Sequence, residues 1–297
     1  MNRFTPEIHT IEADHFSVVS RRMDCIEALG DPTLVQRGSI DVVVTSPPYN
    51  LGISYSTYDD TMPRDKYLDW LGKWAGLVST AMSENGSLFL NIAGKPTDPE
   101  VPFRVLGVML EAGFVLQNVI HWVKSIAIEK SRVGDYPAVT GDIVVGHYKP
   151  INSQRFINDC HEYVFHLTKT GAVPLERLAI GVPYQDKSNV RRWNGSGRDL
   201  HCRGNTWFIP YKTISNGNAH RPHPATFPAE LPEMCLRLHG VDRARHVLDP
   251  FQGLGSSGVA CCRLGLNYLG IEIDEEYHVQ AVRNITAACA GRAQVDH

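Results

Sequence analysis

Residues 246–274 read HVLDPFQGLGSSGVACCRLGLNYLGIEID: an apolar run, a glycine-rich turn, a helical stretch and a second apolar run. Two strands joined through a helix cannot form a hairpin. They lie parallel in one sheet with a right-handed crossover, and a parallel sheet is stable only with both faces covered. The rest of the chain must therefore supply neighbouring strands and two layers of helices. Its patterns do so. FSVVSRRMDCIEAL reads as a strand ending near Asp24 and then a helix, and SIDVVVTSPPYN as a strand stopped by two prolines. DKYLDWLGKWAGLVSTAM spaces Tyr67, Leu68, Leu71, Trp74, Ala75 and Val78 at three and four, the period of an amphipathic helix. GSLFLNIAG reads as a buried strand and FRVLGVMLEAGF as a helix ending at Gly113. VLQNVIHWVK and HEYVFHLTK are two further strands around a polar, aromatic loop, and FPAELPEMCLRLHG and EEYHVQAVRNITAACA are helices. The expected fold class is α/β, a doubly wound, mostly parallel sheet.

Gly253 and Gly255 follow a strand directly and precede a helix, where glycines let a ligand approach the backbone at a helix N-terminus. Glu272 ends the next strand, where an acid can accept both hydroxyls of a ribose. An adenosine-containing cofactor is expected. Gly258 completes a GxGxxG spacing, so the glycines alone leave NAD open. Asp249 and Phe251 ahead of the loop depart from the apolar entry of dinucleotide folds, and an acid there suits a cationic, amine-bearing group such as S-adenosylmethionine. No GxxxxGK[ST] occurs, so this is not a P-loop nucleotidase. Near the other end, Thr45–Asn50 (TSPPYN) stiffens the tip of a strand, because consecutive prolines forbid both helix and continued ladder.

Composition narrows the class further. The 297 residues, 43% hydrophobic, suffice for one large domain with an insertion. There is no apolar run of membrane-spanning length, and MNRFTPEIHT lacks the core of a signal peptide, so a soluble, cytoplasmic protein is expected. Seven scattered cysteines without CxxC spacing suggest reduced thiols and no zinc site. Between Ile120 and Pro222, 14 Lys and Arg face 8 Asp and Glu, whereas the remainder carries 15 against 24. A basic middle on an acidic body is what a polyanion-binding insert looks like; a solvated surface is the alternative.

Together, TSPPYN and DPFQGLG resemble the motif pair of the DNA amino-methyltransferases, which methylate exocyclic amines of cytosine or adenine. With the catalytic motif first and the cofactor loop near the far end, the order resembles the β class of restriction–modification enzymes. QNVIHWVK, HEYVFHLTK and RPHPATFP are similar too, so the likeness runs from about Asp24 to Tyr277, leaving out Thr170–Asn218. The resemblance implies a Rossmann-like methyltransferase sheet, circularly permuted, with S-adenosylmethionine as cofactor and double-stranded DNA as partner. No strand pattern follows the last helix, and FSVVSRRMDC can fill the place beside the strand of Glu272. Ser46 Oγ and the Pro47 carbonyl would accept the N–H protons of the target amine, Pro48 would help fix that carbonyl, Tyr49 would stack on the base and Asn50 would orient the corner. Asp24, Asp249, Phe251, Gly253, Gly255, Ser256 and Glu272 would hold the cofactor, with His223 and Thr226 closing over its methionine end. Arg191, Arg192, Arg198 and Arg203 in the insert, and Lys149 and Arg155 in the loop before it, would meet DNA.

The expected domains are a catalytic and cofactor-binding body, 1–169 with 219–297, and a target-recognition insert, 170–218. Serine at the first corner position points to cytosine N4, with the target base flipped from the duplex into the pocket. Adenine N6 is the alternative within the class. RNA or protein-glutamine methylation, and a DNA-binding regulator without activity, are the alternatives outside it. No metal is required, and no Pro-Cys pair exists for C5 chemistry. The resemblance also makes a homodimer and a cognate restriction endonuclease plausible partners and a nucleoid association natural. His161 and Glu162 read as a satisfied strand-end pair, and Trp70 and Trp74 as helix core residues.

Overall fold

A computed structural model describes residues 7–13, 15–53, 60–124, 126–128, 143–145, 152–184, 186–193, 198–209 and 226–293. In chain order the strands are β1 (Glu7–Glu12), β2 (Ser17–Arg22), β3 (Ile40–Thr45), β4 (Met82–Ile92), β5 (Val115–Val123), β6 (Ile126–Ile128), β7 (Ile143–Val145), β8 (His161–Thr168), β9 (Thr206–Phe208), β10 (His246–Asp249) and β11 (Asn267–Glu272). The helices are α1 (Cys25–Gly30), α2 (Arg64–Ala81), α3 (Val101–Glu111), α4 (Ser188–Trp193), α5 (Glu230–His239), α6 (Ser256–Leu264) and α7 (Glu275–Ala293).

Nine strands form one sheet in the order β1-β2-β11-β10-β3-β4-β8-β5-β9. From β2 to β4 all neighbours are parallel, and β8 runs antiparallel between β4 and β5. Alternation along the strands divides the core. Val43, Leu88, Leu90 and Ile92 face α1, α2 and α3, while Val42, Val44 and Phe89 face α5, α6 and α7. Helix α2 buries Tyr67, Leu71, Trp74, Ala75 and Val78, the stripe its spacing predicts. Each fully buried large apolar side chain there contributes about 1.5–3 kcal/mol. Both faces are thus covered, and the α/β doubly wound expectation holds.

The permuted closure is also present. β2 pairs in parallel with β11 from Val18–Tyr268 to Arg22–Glu272, and Met23 N donates to Glu272 O (2.9 Å). β10 and β3 are adjacent and parallel at Val247–Val42 and Leu248–Val43. Their crossovers leave toward opposite sides, which opens a crevice beyond their carboxyl ends.

Several features depart from the sequence reading. β1 was not apparent, because EIHTIE is a largely exposed edge strand without an apolar face. The excursion between β5 and β8 contains the two-stranded pair β6–β7. The stretch 170–218 is not wholly separate from the body. Gln117 Nε2 donates to Val173 O (2.7 Å), Glu176 N to Leu238 O (2.8 Å), and β9 extends the sheet beside β5 with Trp207 buried. Val182 and His201 form an isolated antiparallel bridge, and α4 lies between them in the chain. Finally, Cys262 and Cys289 form a disulfide where free thiols were expected. Packing of α6 on α7 brings their Cα atoms to 5.0 Å, within disulfide reach, although 27 residues separate them and no local spacing signals the pair. Among the described residues no helix is long and apolar enough to cross a membrane.

Gly255 caps α6 at φ +82°, and a Cβ there would come within 3.0 Å of Ile285 and 3.1 Å of Ala281 on α7. Gly255→Ala therefore combines left-handed strain with overpacking. It should cost about 1–3 kcal/mol, read as a lower urea midpoint at unchanged m-value.

Candidate active site

The proline corner after β3 and the glycine loop after β10 are stitched together by side chains. Thr45 Oγ1 donates to Asp249 Oδ1 (2.7 Å), which also accepts from Phe251 N (3.1 Å). Asp249 Oδ2 carries no hydrogen bond of good geometry; the nearby Ser257 hydroxyl donates instead to Val44 O (3.3 Å). Burial pushes the Asp249 carboxyl up to about 6, against the lowering effect of its hydrogen bonds. Asp249 was expected to face a cationic ligand. Its side chain is 1% exposed and absent from the cleft lining, so it positions the two loops instead.

The cleft is lined by Asp24 after β2, Glu272 at the end of β11, Phe251, Gly253 and Ser256 after β10, and Ser46, Pro47, Pro48 and Tyr49 after β3, together with Thr226. Sequence reading scattered these over the chain; the sheet order brings them together. Asp24 follows β2 and caps α1, its Oδ1 accepting from Ile26 N (2.7 Å) and Glu27 N (3.1 Å). Glu272 ends β11, where Oε2 accepts from Gly253 N (2.9 Å) and Oε1 from Asp274 N (2.9 Å). Burial raises its carboxyl to about 7, with the neighbouring Asp274 and Asp249 adding to the rise. Gly255 is not in the lining; it serves the turn and the contact with α7. Ser256 Oγ donates to Phe227 O (2.7 Å), which ties the start of α6 to the segment carrying Thr226. His223 lies outside the described residues.

Among the described residues the lining holds Asp24, Glu272 and Asp274 and no lysine, arginine or histidine. Such a donor set fits a cation that bears hydroxyls and an amine. It does not fit the pyrophosphate that the GxGxxG spacing left open. Trp70 was read as core but lines the cleft, its ring 5.8 Å from Phe251. Trp74, one turn on, is fully buried beneath the same phenyl ring.

The corner itself is held from several elements. Tyr67 Oη of α2 donates to Pro48 O (2.7 Å), and among the described residues no donor reaches Pro47 O. Asn50 adopts φ 55°, uncommon outside glycine, and its side chain donates to Met62 O (2.7 Å). The buried Asp60 accepts from the backbone of Asn50 (2.8 Å), Leu51 (3.0 Å) and Ile53 (3.0 Å). Ser46 Oγ lies 2.8 Å from Tyr49 Oη, which donates to Glu162 Oε2 (3.0 Å) and accepts from Asn91 Nδ2 (2.5 Å). Asn91 Nδ2 and Lys124 Nζ also hydrogen-bond to Glu162. Burial alone would raise the Glu162 carboxyl; the Lys124 charge and the bonds from Lys124, Asn91 and Tyr49 overcome it and hold the group below the usual range. Of the His161–Glu162 pair expected to be satisfied, Glu162 is, by the corner, whereas the buried His161 Nε2 finds no hydrogen-bond partner among the described residues. The link is invisible in the sequence because Asn91, Glu162 and Lys124 sit at the ends of β4, β8 and β5, whose order follows only from the fold.

The sequence profile of the N6/N4 DNA methylases (DNA methylase) matches residues 40–283. The chain belongs to the N6/N4 DNA methylase family. Curated relatives of this methylase include the type II methyltransferase M.HpaI of Haemophilus parainfluenzae, 26% identical over 281 residues, spanning 94% of this chain and 78% of the relative. M.Cfr9I of Citrobacter freundii is 27% identical over 283 residues, spanning 84% and 82%. Among solved structures, the cytosine-N4-specific PvuII DNA methyltransferase superposes with TM-score 0.61 at 20% identity over 93% of both chains. A putative DNA modification methylase from Thermus thermophilus, complexed with S-adenosyl-L-methionine, gives TM-score 0.56 at 22% identity over 91% of this chain and 93% of its own. These likenesses share the fold.

Among the described residues no arginine is part of the cleft lining. Arg191 and Arg192 are exposed on α4, Arg198 is exposed beyond it, and Arg203 is exposed with Nε donating to Ile180 O (2.9 Å). Arg155 is exposed, its guanidinium 5.0 Å from the Phe156 ring centre. Lys149 lies outside the described residues.

The raised carboxyl of Glu272 makes a pH test of the site. Between pH 4.5 and about 7 the folded methylase holds this proton while the unfolded chain has lost it, so stability falls as pH rises through that window. Asp249 acts in the same direction from 3.8 to about 6. Denaturant titrations across the two windows should show this decline, and Glu272→Gln should flatten the upper part of it.

Proposed function

We propose that this methylase transfers a methyl group from S-adenosylmethionine to the exocyclic N4 of cytosine in duplex DNA, with the target base flipped into the cleft. The observation that carries the reading is Ser46 Oγ. Ser46 lines the same cleft as the glycine loop, and among the described residues that lining holds carboxylates and no basic group. When bound, S-adenosylmethionine supplies an electrophilic sulfonium methyl.

Every other part belongs to the chain. Glu272 receives the ribose hydroxyls, and Asp24 the adenine amine, since capping of α1 occupies only its Oδ1. Thr226 and Ser256 stand at the methionine end, with His223 completing that side. An exocyclic amine is a weak nucleophile because its lone pair is delocalised into the ring. Ser46 Oγ and Pro47 O accept its two N–H bonds, which draws the lone pair out of the ring plane toward the methyl carbon. Positioning and fixed dipoles then supply the rate. Adenine N6 needs the same two acceptors; serine in place of aspartate is what turns the reading to cytosine. Arg155, Arg191, Arg192, Arg198 and Arg203, with Lys149, hold the phosphates, and the segment between Val182 and His201 reads the target. A second copy of the chain and a cognate endonuclease complete the proposed partners, the latter in keeping with type II methyltransferases among the relatives.

Incubation with DNA and methyl-labelled S-adenosylmethionine, followed by digestion to nucleosides, should place label in N4-methylcytosine; label in N6-methyladenosine alone overturns the assignment of the base. Ser46→Ala should lower kcat about 10²–10³-fold with cofactor affinity preserved. In DNA-binding titrations against salt, Arg191→Ala with Arg192→Ala should reduce the slope of log K on log salt by up to about 1.8.

A further inference from the structure

Glu162 lies outside the Ser-Pro-Pro-Tyr corner, on a strand that enters the sheet antiparallel, yet it ends the hydrogen-bond chain that starts at Ser46. An ionised carboxylate only accepts, so it fixes the sense of everything bonded to it. Tyr49 must give its proton to Glu162, and Asn91 must present its amide nitrogen. With its own proton committed, Tyr49 Oη accepts from Asn91 and from Ser46. Ser46 therefore spends its proton on Tyr49, which leaves its lone pairs free to accept in the cleft that it lines.

We propose that Glu162 is a positioning residue that, through Tyr49, turns the Ser46 lone pairs toward the target amine and takes up the proton this amine loses. The inference rests on the corner being the amine site, whichever base carries the amine. The bond between nitrogen and the methyl carbon forms as the bond between that carbon and sulfur breaks, its electron pair staying on sulfur. The nitrogen then sheds one proton. Ser46 Oγ takes it and hands its own to Tyr49 Oη, which hands its own to Glu162 Oε2. Both hydroxyls end neutral and Glu162 ends as a neutral acid. Its side chain is 12% exposed and discharges to water between turnovers. The charged and titratable groups facing it are Lys124 at the end of β5, Tyr49 in the corner and His161 beside it in β8. Lys124 balances the carboxylate while it is ionised.

Glutamine at 162 keeps the shape but can donate to Tyr49. The chain then reverses, and the Ser46 proton faces the amine. Methyl transfer to duplex DNA is measured for Glu162→Gln, Tyr49→Phe, their combination and Ser46→Ala, together with the Kd for S-adenosylmethionine and the thermal midpoint. We expect Glu162→Gln to lower kcat about 10²-fold, with cofactor Kd and KM for DNA within about twofold, and to remove the acid limb of the kcat–pH profile. Tyr49→Phe, which deletes only the linking oxygen, should lose kcat to a similar degree, and the double variant should lose little more. If Ser46→Ala is inactive while Glu162→Gln and Tyr49→Phe keep wild-type kcat and pH profile, the inference is wrong and the corner stands. If Ser46→Ala is itself fully active, the corner assignment fails. Loss of kcat that only follows a loss of thermal midpoint or cofactor affinity makes Glu162 structural and overturns the proposal.

Discussion

The hydrogen bond from Thr45 to Asp249 joins residues 204 apart in the chain, and the site depends on it. It spans a place in the sheet where two parallel neighbours send their crossovers to opposite sides. The loops that continue from those strands therefore diverge, and a crevice between them is a consequence of topology. What topology leaves undetermined is how far apart the loops sit. A buried carboxylate answering to one hydroxyl on β3 and one amide after β10 sets that spacing. The cost is a carboxyl desolvated enough to titrate near 6. Stability is given up for a fixed distance.

The same exchange recurs around the crevice. Glu272 is held by two backbone amides in a setting that raises its carboxyl to about 7. Glu162 is largely buried too but is kept ionised by Lys124. The two acids have opposite electrostatic fates because one has a cation of the protein beside it and the other does not. A ligand carrying positive charge and hydroxyl donors would relieve the first and leave the second untouched. The corner thus carries its own counter-charge, whereas Glu272 has none among the described residues.

Much of this was legible in the sequence. Strand, glycine turn, helix, strand and acid dictated a parallel sheet, and FSVVSRRMDC was legible as the strand beside that of Glu272. The cleft members Asp24, Ser46, Phe251, Gly253 and Glu272 could be named from position alone, since each ends a strand or follows one. Asp249 was misjudged because sequence shows that an acid precedes a loop but not which way its side chain turns. Trp70 and Trp74 share a helix face; only the overhang of the first turns of α2 beside Phe251 separates a cleft residue from a core one. Asn91, Lys124 and Glu162 were beyond reach for a stronger reason. Their neighbourhood is set by β8 entering between β4 and β5, and cross-strand adjacency has no periodic signature.

The parallel pairing of β2 with β11 also bears on how the chain assembles. Ser17 and Asn267, bonded across that seam, are 250 residues apart. β2 and β3, made early, must wait for β10 and β11 to occupy the gap between them, and until then each keeps an unpaired edge. Loop closure over such a span is slow, and open edges invite pairing with other chains. The pair β10 and β11, which fills the gap between β2 and β3, is therefore the keystone of folding as well as of the cleft: the sheet is completed and the cleft formed in one event.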